Sequence, residues 1–147
     1  MSSANGTSLT VANTLLSVGS QVIVDTTAPS APSALTFSAG GGNVVANTLN
    51  STNTTMTVVA SITAGQLGYA ELLLDGDGSP RTSLFKATPG SVSNTATQVT
   101  ISIPTTVGGQ RVVPSDGSGT RTLYVRLYDS ASPPNVSAER SITINVP

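Results

Sequence analysis

Apolar and polar residues alternate along this chain in short bursts, with a period of two rather than 3.6. Residues 34–38, 55–62, 69–74, 83–87, 98–103, 122–128 and 141–146 each read as a strand on that pattern. The clearest is 122–128, in which Leu123, Val125 and Leu127 would share a core-facing side. In the last, Ile142, Ile144 and Val146 fall on one face. No window of a dozen residues keeps helical spacing without Gly, Pro or Thr clusters breaking it. The spacers are turn formers: Gly40-Gly41-Gly42, Asp75-Gly76-Asp77-Gly78, Thr88-Pro89-Gly90, Asp116-Gly117-Ser118-Gly119 and Ser132-Pro133-Pro134-Asn135. About seven short strands with frequent turns predict an all-β, antiparallel β-sandwich.

A break falls at Thr26-Thr27-Ala28-Pro29-Ser30-Ala31-Pro32, where two prolines favour a stiff, extended connector. It separates an N-terminal arm, residues 1–24, from a body, residues 25–147. The arm carries apolar positions of its own: Leu9 and Val11, then Leu15, Leu16 and Val18, then Val22, Ile23 and Val24. Two short strand-like pieces fit there.

Composition narrows the function. The chain of 147 residues has no His, no Cys and no Trp, and 9% of it is charged. The usual zinc and copper ligands are missing, a disulfide framework is impossible, and no imidazole exists to serve a nucleophilic triad. A net charge of -1 gives no basic footprint for nucleic acid. Ser, Thr and Asn number 21, 22 and 9, a hydroxyl-rich mix that would suit a disordered linker. The 37% of apolar residues, clustered as Val, Leu and Ile, instead favours a folded β protein. No stretch is long and apolar enough to predict membrane insertion. The start, Met1-Ser2-Ser3-Ala4-Asn5-Gly6, lacks the basic residues and apolar run of a secretory signal. The chain is then either a mature or recombinant fragment or a protein never exported by that route; the Met1 start favours the second, and a virion protein released by lysis fits it. Charge is uneven: residues 1–80 hold Asp25, Glu71, Asp75 and Asp77 and no cation, while residues 81–147 hold all six cations. Strands from both halves interleaving in one fold would reconcile this; complementary patches between copies are the alternative.

Several residues invite a chemical reading. Asp75-Gly76-Asp77-Gly78-Ser79 opens like a calcium loop, but the EF-hand pattern then needs Gly and Glu where Pro80 and Lys86 stand. A hairpin turn is the better account; a calcium site built on Asp75, Asp77 and a third oxygen donor is the alternative. Glu71, Asp75, Asp116, Asp129 and Glu139 could be combined into a glycosidase pair, yet any seven acids allow such a choice, and the expectation is no enzyme activity. With three tyrosines and no Trp, an aromatic sugar platform is poorly supplied, and no glycan affinity is expected. Tyr124 and Arg126 alternate with Tyr128, and Arg126 is expected to point to solvent. Lys86 is the only lysine, and nothing local marks it for a crosslink to Asn. Asn5, Asn50, Asn53 and Asn135 open N-x-S/T triplets at a number that chance supplies.

Val24-Asp25-Thr26-Thr27-Ala28-Pro29 resembles the connector that opens bacterial Ig-like repeats of large surface adhesins. Gly119-Thr120-Arg121-Thr122-Leu123-Tyr124-Val125-Arg126-Leu127-Tyr128-Asp129 resembles their penultimate strand. Asn135-Val136-Ser137-Ala138, leading into Ser141-Ile142-Thr143-Ile144-Asn145-Val146, resembles their final turn and strand. The resemblance anchors about 35 residues, and between them residues 40–118 match only in pattern. It implies an Ig-like sandwich, a non-enzymatic role as spacer, adhesive module or phage ornament, and calcium between domains with Asp25 among the ligands. It also implies that Tyr124 acts as a tyrosine corner, its hydroxyl bonded to upstream backbone. In a tandem array the strand before the connector closes the preceding domain. Gln21-Val22-Ile23-Val24 stands in that place here with no preceding domain in the chain. Such a strand pairs with its own body, stays loose, or adds to a neighbour's sheet.

The expectation is therefore a homo-oligomeric structural protein, a decoration or surface subunit of a phage virion. Residues 1–24 would hold it to its copies and to other shell proteins. The alternative is a secreted or cell-surface filament module with calcium at Asp25 and Asp77.

Overall fold

The computed structural model describes residues 25–65, 68–75 and 81–147. Among them every regular element is a strand. Seven strands form two antiparallel sheets. One, in the order β1-β2-β5, holds β1 (Ala34–Gly40), β2 (Thr55–Ser61) and β5 (Gln98–Pro104). The other, in the order β4-β3-β8-β9, holds β3 (Gly68–Leu74), β4 (Thr82–Lys86), β8 (Thr120–Asp129) and β9 (Arg140–Asn145). A small hairpin, β6 (Thr106–Val107) with β7 (Gln110–Arg111), interrupts the crossing from β5 to β8.

Alternation decides which side chains meet. In the three-stranded sheet Met56, Val58 and Ala60 are fully buried and stand opposite Ile103, Ile101 and Val99. In the four-stranded sheet Leu74, Leu72 and Ala70 stand opposite Leu123, Val125 and Leu127. The two inner faces join with Leu49, Val113, Ile144 and Val146 in one core. The core therefore closes with side chains from residues 49–146, partly backed by Leu35, Phe37 and Ala39 of β1. At about 1.5–3 kcal/mol per buried aliphatic side chain, this burial is the main force holding the sheets together.

The seven strands predicted from alternation all appear, as do the core positions Leu123, Val125, Leu127, Ile144 and Val146. The β6–β7 hairpin is an addition to that reading. Its turn is Gly108-Gly109, with φ of 59° and 81°, the left-handed pair that a two-residue hairpin requires.

The registers define two ends. The connector, Ser61, Gln98, Gly68 and Asp129 lie at one; Gly40, Thr55, Pro104, Thr120 and Asn145 lie at the other. At the second end, residues 41–54 fold on amide and hydroxyl contacts. Buried Asn53 donates from Nδ2 to the Gly41 carbonyl at 2.8 Å and accepts the Asn50 N–H at 2.8 Å. Asn50 Nδ2 reaches the Asn43 carbonyl. These asparagines are loop scaffolding. The same loop closes one flank of the sandwich. Leu49 N–H donates to the Asn145 carbonyl and Asn145 N–H to the Asn47 carbonyl, both at 2.9 Å, so this segment pairs in parallel with the edge of β9.

Candidate functional site

The chemistry-bearing side chains gather on the outer face of the four-stranded sheet. Strand β3 is central there and is buried on both sides. Alternation sends Ala70, Leu72 and Leu74 to the core, so Tyr69, Glu71 and Leu73 must point outward. Glu71 is nonetheless only 4% exposed. Neighbouring strands cover it: Ser83 Oγ donates to its Oε2 at 2.6 Å, Arg126 Nε to its Oε1 at 3.0 Å, and the Tyr128 hydroxyl to Oε1 as well. A second arm of the Arg126 guanidinium lies 2.9 Å from the same oxygen. Burial pulls the Glu71 pKa upward, but the hydrogen bonds from Ser83, Tyr128 and Arg126 outweigh it and hold the carboxyl below its usual range. Burial and the Glu71 contact push the Tyr128 hydroxyl up.

The rings of this face are occupied. Tyr69 and Tyr128, directly opposite in the ladder, stack with centroids 4.6 Å apart. Lys86 Nζ sits 4.8 Å over Tyr128, and the Arg81 guanidinium 3.8 Å over Tyr124. Arg81 also pairs with Glu139 at 2.9 Å, and Glu139 approaches Arg126 at 3.8 Å. The whole is a lattice of two carboxylates and three cations over a central strand.

Two expectations change here. Arg126 does not point freely to solvent: it is held by Glu71, because the β3–β8 register sets these residues directly opposite. Tyr124 makes no hydroxyl bond to upstream backbone among the described residues; its ring serves as the platform for Arg81. The tyrosine that does anchor through its hydroxyl is Tyr128, and its partner is a carboxylate.

Asp75, considered above as a calcium ligand, ends β3 with both oxygens engaged. Its Oδ1 accepts from Arg121 Nε at 2.8 Å, and its Oδ2 from the Thr122 N–H at 3.1 Å. Arg121 is buried, reaches the carbonyls of Asp75 and Pro114, and lies 3.6 Å from Asp116. Asp116 is lowered in pKa mainly by its hydrogen bonds from Ser118. Asp25 caps the connector by accepting the Thr27 N–H at 2.9 Å. Its carbonyl accepts from Asn135 Nδ2 at 2.9 Å, and the same amide reaches Asp129 Oδ2 at 2.7 Å. Asn135 thus latches the connector to the β8–β9 turn. Burial raises the Asp129 pKa, but bonds from Asn135 and the Ala131 N–H bring it below the ordinary value. Asp77 and the arm positions Leu9, Val11, Leu15, Leu16, Val18, Val22, Ile23 and Val24 lie outside the described residues. Among the described residues no three acids, histidines or cysteines gather as a metal group.

The acids considered for hydrolysis come together around arginines, Glu71 with Glu139 at Arg126 and Asp75 with Asp116 at Arg121. A general acid needs a raised pKa, whereas those of Glu71, Asp116 and Asp129 are lowered.

Sequence reasoning picked out Glu71 only as one acid among several. The usable signal was a lone carboxylate inside the apolar run Tyr-Ala-Glu-Leu-Leu-Leu, which calls for a buried partner. Fold and face together define an antiparallel β-sandwich with a structural polar lattice. No protein-family model, curated protein or solved structure matches this chain.

Proposed function

We propose that the protein is a non-enzymatic, Ig-like structural module that assembles with copies of itself through residues 1–24, as a surface or decoration subunit of a phage virion. The observation that carries this reading is a pair of open strand edges: among the described residues β4 pairs only with β3 and β5 only with β2, while both sheets already share one core. The arm carries a further apolar strand equivalent, and such a strand beside an open edge is material for association. The polar lattice fits the same reading, since its carboxylates and rings are committed to one another. The alternative, a tandem filament module of the adhesin type, is favoured by the connector and the last strand's end lying at opposite ends of the sandwich.

The test is native mass and negative-stain imaging of the full chain beside a chain lacking residues 1–24. The shortened chain should keep its melting transition and lose assembly. Assembly unchanged by the deletion would refute the role given to the arm. Loss of the folded state would show that the arm completes its own sandwich.

A further inference from the structure

The two flanks of the sandwich differ. On one, β1 packs against β9, and the 47–49 segment pairs with the β9 edge. On the other, β4 pairs only with β3 and β5 only with β2 among the described residues, leaving two strand edges side by side. Between them lies an open groove of about 420 Å³. Phe85, Ala87, Val92, Val99 and Ile101 line it, and no charged residue does. Phe85 is 38% exposed, large for an aromatic side chain. The floor at the connector end is closed by the reciprocal Gly68–Val92 hydrogen bonds.

The two edges are unequal templates. The β3–β4 ladder shifts register between Leu72 and Leu73, a bulge of the kind that blunts an edge. The β2–β5 ladder runs without a shift over Gln98–Pro104. An incoming strand therefore matches β5, up to Pro104, which has no N–H to donate. Its alternate side chains would then meet the groove-facing Val99 and Ile101.

We infer that the groove between β4 and β5 receives residues 22–24 of a second copy as a strand added to β5; this rests on the assembly role proposed above. Three observations select that occupant. Residues 1–24 carry no charged side chain, matching the uncharged groove. Val22 and Val24 are spaced by two, the period that an edge strand presents to one face. Reach then excludes the chain's own copy. Asp25 is tied through Asn135 to the end of β8; with β1 packed on β9, a strand added outside β5 lies two strand spacings and one sheet gap from β8, on the order of 14 Å by ordinary sheet dimensions. Residues 22–24 extend no more than about 10 Å from Asp25. The groove they fill belongs to a neighbour.

The test uses full-length chains and complementation. Phe85→Asp spoils the groove while leaving an arm to donate; Val22→Asp with Val24→Asp spoils the arm while leaving a groove to accept. Each variant alone should be monomeric by native mass spectrometry, with the wild-type melting curve as folding control. An equimolar mixture should restore a 1:1 dimer. Phe85→Ala, which adds no charge, should weaken association at least tenfold without abolishing it. A Phe85→Asp chain that assembles like wild type, beside an arm variant that does not, would overturn the groove and leave the assembly role standing. Two monomeric variants that fail to combine would also overturn the groove. A wild-type monomer, or an arm variant that assembles normally, would overturn both.

Discussion

Replacing Glu71 by Gln tests whether the outer lattice stabilises the sandwich. The exchange keeps side-chain volume and one acceptor oxygen, removes the charge and replaces the other acceptor oxygen by an NH2 group. Glu71 is 4% exposed and accepts from Ser83, Arg126 and Tyr128. Removing one partner of a buried ion pair costs about 3–5 kcal/mol. The Arg126 side chain is 31% exposed and keeps Glu139 at 3.8 Å, so water and that second carboxylate relieve part of the loss. An expected cost of about 2–3 kcal/mol remains, in the range of hydrogen bonds to charged groups. For a domain of this size that lowers the melting temperature by roughly 10 °C.

The pH dependence provides a second readout. The Glu71 pKa is lowered from 4.5 in the folded state, so its stabilisation is present above about that pH. As pH falls through the folded value the carboxylate is protonated and the contribution disappears. Calorimetry of both chains at neutral pH and at steps below pH 4.5 should show the wild-type advantage shrinking with acid. A Glu71→Gln chain that melts with the wild type at neutral pH, or a gap that stays constant into acid, would refute the account of the lattice.

The second lattice gives a parallel expectation: Arg121→Met, keeping the aliphatic bulk and losing the bonds to Asp75 and Pro114, should cost about 3 kcal/mol by denaturant titration. At Gly68 an added Cβ would land on the Tyr128 carbonyl, whereas at Gly90 it would meet nothing and only the φ of 83° resists it. Gly68→Ala should therefore destabilise by about 3 kcal/mol or more and Gly90→Ala by about 1 kcal/mol, measured in the same chemical unfolding series. Because both Asp75 oxygens are engaged within the fold, exchanging EDTA for calcium should leave the melting temperature where it was; a rise on adding calcium would reopen a metal site at that turn.

Most of the strand plan was legible because each strand has one face in the core, and a period of two survives any choice of partner. Leu123, Val125 and Leu127 could be assigned inward without knowing that Leu74, Leu72 and Ala70 would face them. The β6–β7 hairpin was missed: flanking strands of two residues are too short to show alternation around Gly108-Gly109. What could not be read was the outer lattice. Glu71 meets partners 12, 55 and 57 positions away, and Asp75 meets Arg121 46 positions away. Those meetings depend on strand order and register, which alternation leaves open. The same residues in another register would have left Glu71 exposed and Arg126 in solvent.

The lattices also settle where the uneven charge of the chain goes, and that bears on how copies would associate. Residues 1–80 have a surplus of acid and residues 81–147 a surplus of cation. Glu71 of the first half closes on Arg126 of the second, and Asp75 on Arg121, inside one sandwich. The interleaving of β3 beside β8 thus neutralises part of each half against the other. An association built on an uncharged arm and an uncharged groove then has no large Coulombic component to screen. Its dissociation constant, measured by sedimentation at about 0.01 M and 1 M sodium chloride, between which the Debye length falls from about 30 Å to 3 Å, should change by less than about threefold. Any change should be toward tighter binding, since salt favours apolar burial. A tenfold weakening in high salt would mean that charged groups outside the two lattices hold the copies together, and that the arm and groove do not.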